Sequence, residues 1–316
     1  MERAPRLEDH VMSKMLVVGS VAFDTIHNAL GTHSRVLGGS ATYAALSASY
    51  LTDVQLVGVV GRDYPDAAVE MMRSRGIDTA GLEIADGETF HWEGRYTDDL
   101  TSRTSLRTDL NVFADFHPKI PEAFRHTPYV MLGNIHPALQ LEVLEQIDRP
   151  KLVVADTMNF WIEGELELLR KMLTRVDLLV INEEEARQLS GKHHLRQVAD
   201  TLHAIGPKIL IIKQGEYGAF LFVNGETFSA PAFPLPEVID PTGAGDSFAG
   251  GLLGYVASRD DTSPETLRTA VIHGSALASF CVEGVSVNRL QNLNDESIAE
   301  RVEAFRHLVR FTPPQA

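Results

Sequence analysis

Short runs of consecutive apolar, largely β-branched residues recur along the chain, at 15–21, 54–60, 129–132, 151–155, 177–181 and 208–213. Runs of this length without polar alternation predict strands buried on both faces. Between them lie stretches with a helical period: 41–51, which opens after Gly38-Gly39 with Ser40 as its expected cap, a segment ending near Met72, 139–147 and 162–173. Strand followed by helix, repeated, predicts an α/β domain on a mostly parallel sheet. A hairpin at 219–223 and 227–230, turned at Asn224-Gly225, and helices at 266–281 and 296–309 complete the pattern.

One segment breaks this rhythm. From about 88 to 116 the residues alternate, with Phe90, Trp92 and Tyr96 on one strand face and His91, Glu93 and Arg95 on the other. Such a segment cannot be a strand-helix unit and predicts a small antiparallel excursion paired with 22–36. The aromatic face suits either hydrophobic contact, with the main domain or a second subunit, or stacking on a substrate. No repeat or linker divides the chain, so residues 15–316 are expected to form one domain, preceded by an extension at 1–14 without functional weight.

Composition narrows the function. At 316 residues, with 44% hydrophobic and 22% charged residues, the chain can bury a large core. Its net charge of -15 argues against nucleic acid and anionic membranes as partners. The single cysteine, Cys281, excludes an intrachain disulfide and a Cys-based zinc site. No apolar stretch has the length of a signal peptide core or a membrane span, and a cytoplasmic setting is expected.

Chemistry concentrates in Asp240-Pro241-Thr242-Gly243-Ala244-Gly245-Asp246-Ser247-Phe248-Ala249-Gly250-Gly251. Small residues run directly into a helical pattern, so the unpaired N–H groups of a helix end lie open to an anion. Asp246 falls in that first turn, where the helix dipole is expected to lower its pKa and keep it ionised as a base. Polar residues also end each buried strand: Asp24, Asn134 and His136, Asp156 and Asn159, Asn182 and Glu185. In an open α/β sheet these gather on one rim.

The run from Asp240 to Gly251 resembles the C-terminal signature of the ribokinase-like (PfkB) carbohydrate kinases at nearly every position. Three further stretches are similar to family signatures and occur in the same order: Gly38-Gly39 with the helix and strand ending in Gly61-Arg62-Asp63, then Asn182-Glu183-Glu184-Glu185, then Lys213-Gln214-Gly215-Glu216-Tyr217-Gly218. The resemblance implies a three-layer sandwich with a β-sheet lid formed by about 22–37 and 88–117. It implies an ATP-dependent kinase that transfers the γ-phosphoryl to a hydroxymethyl group of a sugar, or alternatively of a nucleoside. Asp246 would be the base, and Gly243, Ala244 and Gly245 would supply the anion hole. Asp24, Gly38, Gly39 and Asn134 would contact the substrate. Asn182, Lys213, Gly215, Gly218 and His273 would contact ATP. Glu185 would hold Mg2+ through water, and Asp240 stands where the ligands of a K+ ion would begin. Lids of many relatives pair in a homodimer.

Two departures bear on the acceptor. Ribokinases carry Asn two residues before the substrate Asp and Lys after Gly-Gly; here Ala22 and Ser40 occupy those positions. Asp156-Thr157-Met158-Asn159-Phe160-Trp161 lacks the arginine with which relatives recognise acidic sugars. A non-catalytic nucleotide- or sugar-binding regulator is the alternative of another class, and the presence of Asp246 argues against it.

Overall fold

The computed structural model describes residues 14–310. The expected extension at 1–14 therefore lies, but for Lys14, outside the described residues. β1 (Met15–Val18) leads to the hairpin of β2 (Ala22–Asn28) and β3 (Gly31–Gly38), then α1 (Ser40–Ala48), β4 (Val54–Gly61), α2 (Asp66–Ser74) and β5 (Ile77–Ala85). A second hairpin, β6 (His91–Tyr96) and β7 (Arg103–Asp109), precedes β8 (Tyr129–Leu132), α3 (Pro137–Gln146), β9 (Leu152–Asp156), α4 (Asn159–Gly164) and α5 (Leu166–Leu173). β10 (Leu178–Asn182), α6 (Glu183–Ser190), α7 (Leu195–Ile205), β11 (Ile209–Lys213), β12 (Ala219–Val223) and β13 (Glu226–Ala230) follow. Then come α8 (Ala244–Arg259), α9 (Pro264–Cys281) and α10 (Asp295–Val309).

Among the described residues, nine strands form one sheet in the order β13-β12-β11-β10-β9-β8-β1-β4-β5, with β12 alone running against the rest. Successive residues of each central strand feed opposite layers. Met15 and Val17 pack with Ala44, Leu252 and Leu277 of α1, α8 and α9, while Leu16 and Val18 pack with Leu144, Met172 and Leu202 of α3, α5 and α7. From β1 the chain builds β4 and β5 on one side, and from β8 it builds outward on the other. The crevice at the carboxyl ends of β1 and β8 is thus the topological switch point, where α/β sheets bind ligands.

The smaller sheet, ordered β3-β2-β6-β7, forms the lid. β2 pairs with β6 in parallel, which corrects the expected antiparallel pairing. The physical reason is β5, a strand absent from the sequence reading: the chain crosses β4, α2 and β5 of the main sheet before returning, so β6 enters in the direction of β2. The lid sheet ends at Asp109. Beyond it Phe113 stacks on Phe116, with ring centres 5.4 Å apart, and both pack against the main-sheet core.

Gly61-Arg62-Asp63 ties the lid to the main sheet. Asp63 Oδ1 accepts from the Thr89 amide (2.8 Å) and hydroxyl (2.7 Å), just before β6, and its Oδ2 accepts from Arg35 of β3 (2.6 Å). One carboxylate thus holds both lid hairpins to the end of β4, and these hydrogen bonds set its pKa below the usual carboxylate range despite partial desolvation.

Candidate active site

Gly243 is the N-cap of α8 and adopts φ 77°, a left-handed conformation open to glycine at little cost. Space also requires glycine there: a Cβ would stand 2.4 Å from the ring of Tyr43, which is 1% exposed. Asp240, at 0% exposure, fixes the loop from below by accepting from the amides of Thr242 (2.9 Å) and Ser286 (3.3 Å). The Ala244 amide turns back to Pro241 O (3.2 Å), and Ser247 N is the next to bond back, to Gly243 O (2.8 Å). The Gly245 and Asp246 amides are therefore the donors left facing out of the helix end.

Asp246 corrects one expectation. Its pKa is raised to about 7, not lowered: burial comes first and the neighbouring Asp156 second, and together they outweigh Lys213, Arg103 and its own backbone amide. A first-turn position favours a carboxylate by about 1 kcal/mol, less than the cost of desolvating it beside a second acid. A pKa near neutrality suits a group that must both accept and release a proton.

Glu185 and Asp246 each interact electrostatically with both Asp156 and Lys213. Lys213 Nζ lies 3.8 Å from Asp156 Oδ1 and 2.8 Å from where a Cβ on Gly245 would stand, so the ammonium reinforces the positive end of α8. Asn182 and Glu185 form a capping box on α6: Asn182 Oδ1 accepts from Glu185 N (2.8 Å) and Glu185 Oε2 accepts from Asn182 N (3.1 Å). Unlike an ordinary exposed cap, Glu185 is 8% exposed, and burial followed by Asp156 raises its pKa to about 7. Burial likewise raises that of Asp156.

On the acceptor side, Asp24 is buried at the start of the lid. Desolvation, then Asp240 and Asp246, raise its pKa to about 8. The glycine pair also answers to packing within the protein. A Cβ on Gly38 would fall 2.1 Å from Asp24 Oδ2, and one on Gly39 would fall 2.4 Å from Ser20 O, so the missing side chains make room for the protein itself. Ser40 does not cap α1. Its Oγ accepts from Ser20 N (3.2 Å) while Ser20 Oγ accepts from Ser40 N (3.0 Å), tying the end of β1 to the start of α1. Asn134 Oδ1 accepts from Trp161 Nε1 (2.9 Å), with His136 packed edge-on to that indole at 5.0 Å.

The aromatic stripe divides. Phe90 lies before β6 and stacks on Phe113 at 5.4 Å, outside the lid sheet. Trp92 lies across Gly94 and donates to Ser105 Oγ (3.0 Å). Tyr96 reaches the glycine loop that opens α8, where Thr242 Oγ1 and Tyr96 Oη are 3.1 Å apart. Asn28 also donates to Ile239 O (3.1 Å) and Ser286 to Leu37 O (2.5 Å), so the lid is docked on the body at both ends.

Gly215 turns at φ 57° with open space around it, whereas Gly218, at φ 97°, passes against Ala230 O, which a Cβ would approach to 2.0 Å. His273 stacks on Tyr255 at 4.1 Å between α8 and α9, and burial lowers its pKa to about 4, so the imidazole is neutral. Asp156 stood on the expected rim but not among the expected site residues, and Arg103 was missed. Arg103 sits in a polar run, 101–109, where nothing in the residue pattern marks one basic side chain from another.

The pfkB family carbohydrate kinase model matches residues 12–292. The chain belongs to this family. The cytidine kinase of Thermococcus kodakarensis is 31% identical over 255 residues, 78% of this chain and 90% of that protein. The nucleoside kinase of Methanocaldococcus jannaschii is 24% identical over 310 residues, 93% of this chain and 98% of that protein. A crystal structure of that nucleoside kinase superposes with a TM-score of 0.74 over 93% of this chain and 99% of that one. The fold is equally that of a fructokinase from Vibrio cholerae, solved with fructose, ADP and potassium: TM-score 0.76 at 18% identity, over 92% and 98% of the two chains. This kinase is thus a phosphotransferase with an alcohol acceptor, built on the ribokinase-like fold. Among the described residues no helix is long and apolar enough to cross a membrane.

Proposed function

We propose that this kinase transfers the γ-phosphoryl of ATP to the 5′-hydroxymethyl group of a nucleoside. The observation that carries the choice of nucleoside over free sugar is the 31% identity with a cytidine kinase across 90% of that protein. Ala22 and Ser40 support it, since they remove two polar groups expected of a ribose site. So does the half-buried Trp92 of the lid, which offers aromatic surface for a base.

The mechanism follows from the geometry. With the lid shut, the acceptor hydroxyl lies between Asp24 and the α8 N-terminus. Asp246 takes its proton as the oxygen attacks phosphorus in line, and the Gly245 and Asp246 amides with Lys213 hold the equatorial oxygens. A docked lid excludes water, the competing acceptor. Glu185 and Asp156 suit Mg2+, because three carboxylates share one ammonium and leave negative charge to be balanced. Among the described residues no group of three or more His, Cys, Asp or Glu is placed to hold a metal ion. Mg2+ would supply charge neutralisation to the ATP phosphates. Asp240, beneath the loop, is the residue nearest in role to the potassium ion named with the fructokinase.

The test is ADP release with Mg-ATP across nucleosides, free sugars, sugar acids and sugar phosphates, scored by kcat/KM. A nucleoside, cytidine first, should lead the panel by at least about 100-fold, the discrimination expected when a site built for a base meets a substrate lacking one. A free sugar in the lead would refute the nucleoside reading while leaving the family assignment intact.

A further inference from the structure

The ends of β8 and β9 are locked to each other. Gln140 of α3, 1% exposed, donates through Nε2 both to Gly133 O (2.9 Å), just past β8, and to Asp156 O (3.0 Å), the last residue of β9. The Gly133 amide donates to Val18 O (2.7 Å), and a Cβ on Gly133 would stand 2.8 Å from Ser40 Oγ. This end of β8 therefore abuts the end of β1 and the start of α1, at the switch-point crevice. From that fixed base spring Asn134 and, in the first turn of α4, Trp161.

Trp161 Nε1 lies 2.9 Å from Asn134 Oδ1. An indole N–H can only donate, so the amide atom it meets must be the oxygen, and the side chain of Asn134 cannot be turned end for end. The indole is itself braced: His136 and the exposed Phe160 stand edge-on to it at 5.0 and 4.9 Å, and His136 Nδ1 accepts from the Ala138 amide (3.1 Å). Asn134 is half-buried, and its Nδ2 has no partner among the described residues.

We propose that Trp161 is a positioning residue for the acceptor. By holding Asn134 Oδ1 it turns Nδ2 to the crevice, where the amide donates to the acceptor atom beside the glycosidic bond of a nucleoside, O2 of a pyrimidine or N3 of a purine. A free sugar presents a C1 hydroxyl there, whose own proton would point at amide N–H groups instead of at an oxygen. Trp161 thus selects for a base without touching it. The proposal rests on the nucleoside reading and deepens it.

Full-length wild type, Trp161→Phe and Asn134→Asp are compared by kcat and KM at saturating Mg-ATP. The acceptors are ribose and two matched pairs: uridine with 2-thiouridine, which weakens the acceptor at O2, and adenosine with 3-deazaadenosine, which removes N3. Wild type should prefer the intact member of at least one pair by about tenfold, the worth of one hydrogen bond, and the responding pair tells pyrimidine from purine. In Trp161→Phe the ring remains but the amide is free to turn, so that preference should shrink to about twofold or less, through KM and not kcat. Asn134→Asp, which offers oxygens only, should lower nucleoside kcat/KM by about 100-fold while ribose changes by less than about threefold. No preference within either pair in wild type, or a Trp161→Phe enzyme that keeps the preference or loses activity on every acceptor alike, would overturn the proposal and leave the nucleoside reading standing. A wild type that prefers ribose to every nucleoside would refute that reading, and the proposal with it.

Discussion

Gly243→Ala is the substitution that joins the fold to the chemistry most tightly. The new methyl would meet three carbons of the Tyr43 ring at 2.4 Å, where ordinary carbon contacts lie near about 3.5 Å. The ring is 1% exposed and packed among α1, α8 and α9, so it cannot swing away. The loop must rise by about 1 Å instead. That displacement carries the Gly245 and Asp246 donors off the phosphoryl position, and a misplacement of this size costs about 100-fold in rate. Stability falls as well: a non-glycine residue at φ 77° costs about 1–2 kcal/mol and overpacking about 1–3 kcal/mol more. Urea unfolding gives the second number and single-turnover phosphoryl transfer at saturating Mg-ATP the first. Adding Tyr43→Ala should restore at least about tenfold of the rate while lowering stability further, because it removes the obstacle and leaves a cavity. A Gly243→Ala enzyme that loses stability but turns over within threefold of wild type would refute the link between loop height and catalysis.

The raised carboxylates give pH predictions of definite sign. The acidic limb of kcat/KM should rise through about pH 7 as Asp246 ionises, and Lys213→Met, which removes a charge favouring the carboxylate, should move that limb to higher pH. An unshifted limb in that variant would count against Asp246 as the titrating base. Asp24 has a folded pKa of about 8 against an ordinary aspartate value of 3.8, so the native state keeps a proton that the unfolded chain has lost. Stability of the ligand-free enzyme should therefore fall from pH 6.5 to 8, by up to about 2 kcal/mol from Asp24 at about 1.4 kcal/mol per unit. His273, neutral in the folded state but half protonated in the unfolded chain at pH 6.5, opposes it by only about 0.4 kcal/mol over that range. Urea midpoints of wild type and Asp24→Asn check this: Asp246 and Glu185, also raised to about 7, keep part of the slope, and a slope undiminished in the variant would exonerate Asp24. Asp63→Ala, which unties both hairpins of the lid, should raise the acceptor KM and the ratio of ATP hydrolysis to transfer; an unchanged ratio would mean that this carboxylate does not govern closure.

Much of this architecture is legible in the residue pattern because buried parallel strands admit so few residue types. The runs at 15–21, 54–60 and 177–181 cannot be read otherwise. β5 escaped because it lies at the sheet edge, with exposed positions and Gly81 breaking its alternation. The parallel pairing of β2 with β6 escaped with it, since direction depends on the strand between them. Within the site, residues whose role is set by backbone, such as Gly243 and Asn182, stand out through fixed spacing. Their physical reasons are less accessible: that Gly38 makes room for Asp24, or that burial overrides the helix dipole at Asp246, depends on chain segments far apart in sequence. Arg103 is the extreme case, an ordinary basic residue in a polar strand until the lid is laid over the glycine loop.

The central claim is that Asp246 removes the acceptor proton at a preformed helix end. Its most direct test is the single-turnover rate of Asp246→Asn with the nucleoside that leads the acceptor panel, measured beside the equilibrium affinity for Mg-ATP. The predicted result is ATP affinity within about threefold of wild type and a rate lower by about 100-fold or more, as loss of a positioned base requires. Near-native turnover by Asp246→Asn would contradict the account, for the helix end would then be acting without its base.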